Sequence, residues 1–179
     1  MSKPFKLGRV FGLEISAYPS APAGFLLLWA VLAVLGGWLL RWSAATAIGT
    51  GFAAATVHFL SELPHQFGHA LAARRTGYPM LGVRYWWVFG ASRYPHDEPE
   101  LPAALHIRRA LGGAPASLAV AVVAAAVAWA LWPTTSVFFW IAAFMTADNL
   151  LVYTLGAFLP LGFTDGSTLL HYWKTRKNE

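Results

Sequence analysis

The chain has 179 residues, of which 57% are hydrophobic and only 12% are charged, and its formal net charge is +5. These values exclude an ordinary soluble domain, which needs more polar side chains to cover its surface, and they exclude a disordered chain. The absence of cysteine excludes disulfides, a thiol nucleophile and a cysteine metal site. In so apolar a chain the positive charge indicates a membrane protein with basic loops, and no nucleic-acid partner is expected.

Four apolar stretches are long enough to cross a bilayer as helices, which takes about 20 residues each. They are predicted at residues 21–40, 44–73, 116–132 and 136–160. The expected fold is an all-α membrane protein with about four transmembrane helices, taken as a single membrane-embedded domain over residues 1–179. Pro64 lies inside the second span and predicts a kink or a restart there, because proline lacks the backbone N–H.

The basic residues predict how the chain is oriented in the membrane. Twelve of the 13 Lys and Arg residues fall in the N-terminal segment, the loop after the second span and the C-terminal tail, which share one side of a four-span chain. Only Arg41 falls on the other side. Because cytoplasmic loops carry an excess of Lys and Arg, we expect an integral, multi-pass protein in the lipid bilayer with both termini in the cytoplasm.

The loop between the second and third spans contains the one segment that is predicted to be extended. Met80–Phe89 is rich in aromatic and β-branched residues, which favour a short β segment in this cytoplasmic interfacial loop. Two interpretations stay open. The segment is either an aromatic anchor at the membrane surface or an edge strand that receives a substrate segment by β-addition.

Ionisable residues inside a span are costly in lipid and therefore indicate a functional site. The second span carries four of them, and at ~100° per residue they fall within a sector of about 60° on one helical face. They are His58, Glu62, His65 and His69. His65 and His69 have the i, i+4 spacing that lets two imidazoles bind one zinc ion, whereas the alternative is a set of histidines that hydrogen-bond across the helix bundle.

The string His65-Gln66-Phe67-Gly68-His69-Ala70 resembles the zinc motif of the site-2 protease family of intramembrane metalloproteases, which is His-Glu-x-Gly-His-Ala. Two later segments are similar to further marks of that family: Gly112–Ser117 to its Gly-Pro-x-x-Asn, and Phe158–Gly166 to its Asn-x-x-Pro…Asp-Gly. The resemblance implies a Zn²⁺ ion held by His65, His69 and Asp165, with water in the open position. It also implies cleavage of a transmembrane protein substrate within the membrane.

Two positions depart from the family pattern. Gln66 stands where the family has its catalytic Glu, and an amide cannot take up a proton from the attacking water. Ala157 stands where the family has an Asn that helps to hold substrate or the oxyanion. Three explanations of Gln66 stay open: an engineered Glu-to-Gln change, natural loss of proteolysis, or compensation by Glu62 one turn earlier, whose side chain would have to reach past His65.

Two polar residues of the fourth span have a functional and a structural interpretation each. Asp148 is either a hydrogen-bond partner of a zinc-bound histidine or a structural acid paired with Arg41 or a histidine. Asn149 either replaces the Asn that is missing at Ala157 or bonds between helices.

The sequence thus predicts a zinc-dependent intramembrane endopeptidase of the site-2 protease type, impaired because position 66 is Gln. The first alternative is an inactive pseudoprotease that binds a membrane partner. The second is a small metal carrier that uses the stripe from His58 to His69.

Overall fold

The computed structural model describes residues 3–176, so Lys177, one of the basic residues counted above, lies outside the described residues. Helices dominate, and the described chain also contains four short strands. In chain order the elements are β1 (Phe5–Val10), β2 (Leu13–Ala17), α1 (Ser20–Leu39), α2 (Ala44–Arg75), β3 (Gly82–Trp86), β4 (Phe89–Arg93), α3 (Ala103–Ala110), α4 (Gly113–Leu131), α5 (Val137–Ala147) and α6 (Asp165–Arg176).

Four helical stretches of the described chain are long and apolar enough to cross a membrane, which confirms the predicted class of fold. They cover Ser20–Leu39, Ala44–Arg75, Ala103–Thr134 and Val137–Phe158. Of the two outcomes predicted at Pro64, the restart is wrong, because α2 is one continuous helix through that residue, and the kink stays a prediction. Ser43 caps its N-terminus by accepting a hydrogen bond from the Thr46 N–H at 3.3 Å.

The strands form one sheet in the order β1-β2-β3-β4. β2 and β3 are parallel, and the other two pairs are antiparallel. The N-terminal hairpin was not predicted, although it has a recognisable turn: Phe11 and Gly12 both have positive φ, at 48° and 85°, as a tight two-residue hairpin turn requires.

The edge-strand interpretation of Met80–Phe89 is therefore wrong for β3, which is paired on both sides. The N-terminal hairpin, far away in sequence, supplies the second partner of β3. The edge of the sheet on that side is β4 instead.

The sheet packs on the C-terminal half of α2 through small and β-branched side chains. Val83 on β3 and Ala73 on α2 are fully buried there, together with Ile15 of β2. On the other side, the backbone of Trp87 touches α1 where a Cβ on Gly24 would lie 2.4 Å from it. The sheet is thus fixed against one end of the first two long helices.

The fourth long stretch changes its winding after α5. The chain continues as a π-helix over Asp148–Leu155 and a short 3₁₀ turn over Gly156–Phe158. Wide helical turns of this kind are frequent at functional sites. After them the chain folds back, so that α6 begins beside α2.

Candidate metal centre

The two histidines of the i, i+4 pair point their Nε2 atoms at each other from one face of α2. The Nε2 atoms of His65 and His69 lie 3.1 Å apart, and both residues are buried. The Nδ1 of His69 lies 2.9 Å from the Arg109 carbonyl oxygen, which can only accept, so Nδ1 carries the proton and Nε2 presents a lone pair. The Nδ1 of His65 lies 3.0 Å from the Ser117 hydroxyl, which can accept in the same way.

Asp165 completes the cluster from the start of α6. Its Oδ2 lies 3.4 Å from Nε2 of His65 and 3.3 Å from Nε2 of His69. This oxygen is buried and has no hydrogen-bond partner. The next residue must be small, because a Cβ on Gly166 would lie 2.1 Å from the Phe158 carbonyl oxygen. The three residues predicted as ligands therefore converge, although 96 positions separate Asp165 from His69.

The arrangement fits a zinc ion. A tetrahedral site with bonds of ~2.0–2.2 Å places its ligand atoms roughly 3.3–3.6 Å apart, close to the distances between these three atoms. When both histidines carry their proton on Nδ1, the two Nε2 lone pairs and the Asp165 oxygen face one another, and three such atoms repel unless a cation lies among them. Within residues 3–176 this is the one group of three or more His, Asp or Glu side chains positioned to hold a metal.

A cavity of about 630 Å³ opens beside the cluster. Its walls come from α2, β4, α3, the π-helix and α6. The polar lining residues include the three candidate ligands and Glu62, Gln66, Ser92, Glu98, His106 and Arg109. There is therefore room for water and for a peptide segment next to the candidate metal position.

The start of α4 approaches the two histidines closely because Gly112 and Gly113 have no side chains there. A Cβ on Gly113 would lie 2.4 Å from Nε2 of His69 and 2.6 Å from Nε2 of His65. Beside this point, Gly68 and Gly112 let the backbones of α2 and of the start of α4 touch, since a Cβ on Gly68 would lie 2.3 Å from the Gly112 oxygen. These glycines explain why the Gly112–Ser117 motif accompanies the histidine pair.

Gln66 is buried and bonded at both ends of its amide. Its Nε2 donates to Glu62 Oε1 at 2.7 Å, and its Oε1 accepts from the Ser92 hydroxyl at 2.7 Å. The amide orientation follows from these partners, because the Glu62 carboxylate can only accept and the Ser92 hydroxyl can donate. Glu62, Gln66 and Ser92 thus form one chain of hydrogen bonds from α2 to β4.

These bonds are part of a regular register between α2 and β4. Every fourth residue of α2 faces every second residue of β4 or of the turn before it. This spacing is possible because four residues of a helix rise ~6 Å, nearly the same length as two residues of a strand, ~6.6 Å. The facing pairs are His58 with Val88, Glu62 with Gly90 and Gln66 with Ser92.

His58 belongs to this register and not to the metal cluster. Its Nε2 lies 2.8 Å from the Val88 carbonyl oxygen, and its Nδ1 lies 2.9 Å from Asp148 Oδ1. Asp148 therefore pairs with His58, which agrees with the interpretation of Asp148 as a structural acid paired with a histidine and not with the one in which it bonds a zinc-bound histidine. The groups that bond the Nδ1 atoms of the two candidate ligands are Ser117 and the Arg109 carbonyl, whose roles the sequence did not reveal.

The remaining predicted residues are Asn149 and Ala157, and of these two only Ala157 lines the cavity. Asn149 donates at 2.9 Å to the Ser61 hydroxyl, a bond between helices, and at 2.9 Å to the Met145 carbonyl one turn earlier in its own helical stretch. Ala157 lines the cavity and brings no polar group to it.

Arg109 ties the loop before α3 to the site. Its guanidinium, 4% exposed, bonds the Glu98 carboxylate and donates to the Tyr78 carbonyl oxygen at 2.6 Å. It also lies 4.2 Å from the ring centroid of Tyr94. The hydrogen bonds from Arg109 hold the pKa of Glu98 below its ordinary value. Because the backbone oxygen of Arg109 bonds His69, this network also orients a candidate ligand.

Two comparisons bear on the family. The chain is 30% identical over 195 aligned positions to "Putative zinc metalloprotease Rip3" from two strains of Mycobacterium tuberculosis, and the alignment covers 99% of this chain. The chain spans only 45% of the length of those relatives. No protein-family model matches.

Among solved structures, the fold is similar to that of the Site-2 Protease from Methanocaldococcus jannaschii, with a TM-score of 0.65 and 14% identity. That match covers 98% of this chain and 73% of the other chain. Together, the curated relatives and the shared fold confirm the predicted resemblance to the site-2 protease family. The four helices that are long and apolar enough to cross a membrane, together with this fold, support an integral, multi-pass membrane protein.

Proposed function

We propose that the chain is a zinc-dependent intramembrane endopeptidase of the site-2 protease type, in which position 66 does not provide the general base. The observation that carries this proposal is the convergence of His65, His69 and Asp165 on one point, with an unpartnered buried carboxylate oxygen among them. The similarity to "Putative zinc metalloprotease Rip3" supports both the metal and the reaction.

In such a site the residues would have three separate roles: binding the metal, orienting the histidines and positioning a neighbouring group. His65, His69 and Asp165 would hold the zinc, which when bound supplies Lewis acidity and an activated water. Ser117 and the Arg109 carbonyl fix the ring orientation of the two histidines. Gln66 can orient a neighbour but cannot accept a proton, and the loss of a positioned base alone slows hydrolysis by ~10²–10⁴-fold.

The substrate we propose is a transmembrane segment that unwinds locally beside the cavity. β4 pairs with β3 along one edge, and its residues Phe89–Ser92 line the cavity. An extended peptide can therefore add to its other edge by backbone hydrogen bonds. With both termini in the cytoplasm, as the basic residues predict, cleavage takes place near the cytoplasmic side of the bilayer.

The pseudoprotease remains the second candidate because of Gln66. Its amide is bonded at both ends, so the residue at the position of the family's base fits its surroundings well. A binding protein of this kind would hold a transmembrane partner on β4 without cutting it. The carrier is less well supported, since the described residues gather one three-ligand group and not a series of sites along α2.

The test is the zinc content of the detergent-purified chain, followed by cleavage of a pool of synthetic transmembrane peptides with helix-breaking residues at different depths. We expect one zinc per chain, slow cleavage that a chelator abolishes, and loss of both in Asp165→Ala. Zinc without cleavage, together with peptide binding, would favour the pseudoprotease. Absence of zinc would show that the histidine pair is structural.

A further inference from the structure

Three carboxylates line the cavity. Two of them are paired with a histidine or an arginine, and the third, Glu62, is not. Asp165 faces the two histidines, and Glu98 is held by the guanidinium of Arg109. Glu62 is 3% exposed, and its neighbours are neutral groups: the amide of Gln66, at 2.7 Å, and the hydroxyl of Tyr153. A carboxylate buried with so little compensation is costly to the fold, which is typical of a group retained for chemistry.

The Glu62 carboxyl lies very near the place that a carboxylate at position 66 would occupy. Its Oε1 is one hydrogen bond, 2.7 Å, from the Nε2 atom at the tip of Gln66. The helix does not prevent this approach, because residues 62 and 66 are one turn apart on the face that carries both histidines. The Glu62 carboxyl thus lies at the tip of the side chain at position 66, on the wall of the cavity that also holds the three candidate ligands.

Glu62 also lies against the strand that would hold a substrate. A Cβ on Gly90 would lie 2.5 Å from Glu62 Oε1 and 2.6 Å from its Cδ. The carboxyl thus occupies the space that a side chain at position 90 would fill. A peptide added to β4 would pass close to this carboxyl and to the candidate metal position.

Gln66 fits this arrangement better than Glu would. An amide can donate to Glu62 and accept from Ser92 at the same time, whereas a carboxylate at position 66 has no proton to donate. It would also place two negative groups at the 2.7 Å separation seen here, and such a pair cannot be ionised together without a large cost. Glu62 and Gln66 therefore form a matched pair.

We propose that Glu62 carries the proton-transfer role in this chain, and that Gln66 is the positioning residue that fixes the Glu62 carboxyl between α2 and β4. This inference rests on the proposed endopeptidase function. In the reaction one water is consumed: its oxygen bonds to the scissile carbonyl carbon, and its proton passes to Glu62. The same proton then goes to the amine nitrogen as the C–N bond breaks, so the carboxylate is regenerated.

The experiment compares four forms of the full chain: unaltered, Glu62→Gln, Gln66→Glu, and the exchanged form Glu62→Gln with Gln66→Glu. Each is assayed for cleavage of the transmembrane peptide pool, for zinc content, and for the Tm of the metal-free protein. Glu100→Gln is the matched control, because Glu100 is exposed in the loop before α3.

We expect Glu62→Gln to lower kcat by ~10²–10⁴-fold with KM and zinc content nearly unchanged, and with a Tm no lower than that of the unaltered chain because a buried charge is removed. Gln66→Glu should lower the Tm of the metal-free protein and should not raise the rate. The exchanged form should recover the Tm, because an amide at position 62 again donates to a carboxylate at position 66, and it should cleave at least as fast as the unaltered chain. Glu100→Gln should change none of these quantities.

Two results would overturn the inference while leaving the proposed function intact. One is cleavage by Glu62→Gln at the rate of the unaltered chain. The other is cleavage by Gln66→Glu together with none by the unaltered chain, which would show that the general base acts from position 66 and not from Glu62. If none of the four forms cleaves although each binds zinc, the proposed endopeptidase function itself fails, and the catalytic role of Glu62 fails with it.

Discussion

Among the residues that are not candidate ligands, Gly113 is the one whose replacement should disturb the candidate metal centre most directly. In Gly113→Ala the added methyl group would lie 2.4 Å from Nε2 of His69, so either the histidine or α4 must move. We expect loss of bound zinc in this variant, measured by atomic absorption on the purified chain. Gly49→Ala is the control, because a Cβ there meets nothing within 4 Å and alanine favours the helix by ~1 kcal/mol. Equal zinc in both variants would contradict the assigned position of the metal.

Glu98 should make the stability of the chain depend on pH. Its folded-state pKa is lowered by Arg109 from the ordinary value of 4.5, so the pair stabilises the fold above that value. The contribution is lost as the pH falls through the lowered pKa, where the folded carboxylate becomes protonated. We expect Glu98→Gln to lower the free energy of unfolding by about 1–3 kcal/mol at pH 7, because the buried Arg109 loses a charged partner.

The measurement is the Tm of both forms in detergent from pH 7 to pH 3. The difference between unaltered chain and Glu98→Gln should be largest at neutral pH and should shrink in acid, and Glu100→Gln should show no difference. A difference that stays constant down to pH 3 would mean that the carboxylate charge does not stabilise the pair.

At the scale of single residues, the sequence predicted the contacts that depend on local spacing. His65 and His69 lie one helical turn apart, so their convergence follows from the helix alone. Asp165 came from resemblance, because nothing local shows that a chain segment 96 positions later returns to the same point. Ser117 and the Arg109 carbonyl escaped prediction for the same reason, and a backbone carbonyl leaves no mark in a sequence.

At the scale of elements, His58 should hold the turn before β4 on α2. In His58→Phe the hydrogen bonds of the imidazole to the Val88 carbonyl and to Asp148 are lost, and the buried Asp148 is left without its partner. Breaking a buried pair in this way destabilises by about 3–5 kcal/mol. We expect hydrogen exchange to become faster at the amides of Val88–Ser92, measured by mass spectrometry of peptides from the exchanged chain.

Adding Asp148→Leu to His58→Phe should recover part of the stability, because no unpaired charge is then buried. It should not recover the slow exchange of Val88–Ser92, since the bond to the Val88 carbonyl is still missing. The amides of β1, at the opposite edge of the sheet, serve as the internal reference. Equal acceleration in β1 and β4 would indicate general loosening and not a bond specific to β4.

Among the elements, the sequence predicted the long helices but missed most of the sheet and the π-helix, and each outcome has a physical reason. Long apolar helices are visible because lipid demands about 20 such residues in each. The sheet was mostly missed, since its parallel pairing joins β2 to β3 across the two helices between them. The π-helix after α5 was missed because its winding depends on tertiary contacts, such as the bond from Asn149 to Ser61.

At the scale of the whole molecule, the sheet places several segments at the same end of the helices. β1 and β2 precede α1, and β3 and β4 follow α2, so strands that pair with one another cannot lie on opposite sides of a membrane. α6 lies at this end too, because the ring of Tyr172 stacks on His106 of α3 with centroids 3.9 Å apart. The predicted basic side of the chain therefore coincides with the end that carries the sheet.

The orientation can be tested by labelling single introduced cysteines, because the chain has no cysteine of its own that would also react. Lys3→Cys, Glu100→Cys and Lys174→Cys lie at the sheet end, whereas Arg41→Cys and Pro133→Cys lie in the connections at the other end; all five positions are exposed. We expect a membrane-impermeant maleimide to label the first three in inverted vesicles and the last two in intact cells, because the excess of Lys and Arg belongs on the cytoplasmic side. The reverse pattern would keep the fold and invert its orientation. Labelling of Arg41→Cys from the same side as Glu100→Cys would contradict the four-span arrangement itself, since α1 and α2 could not then both cross the bilayer.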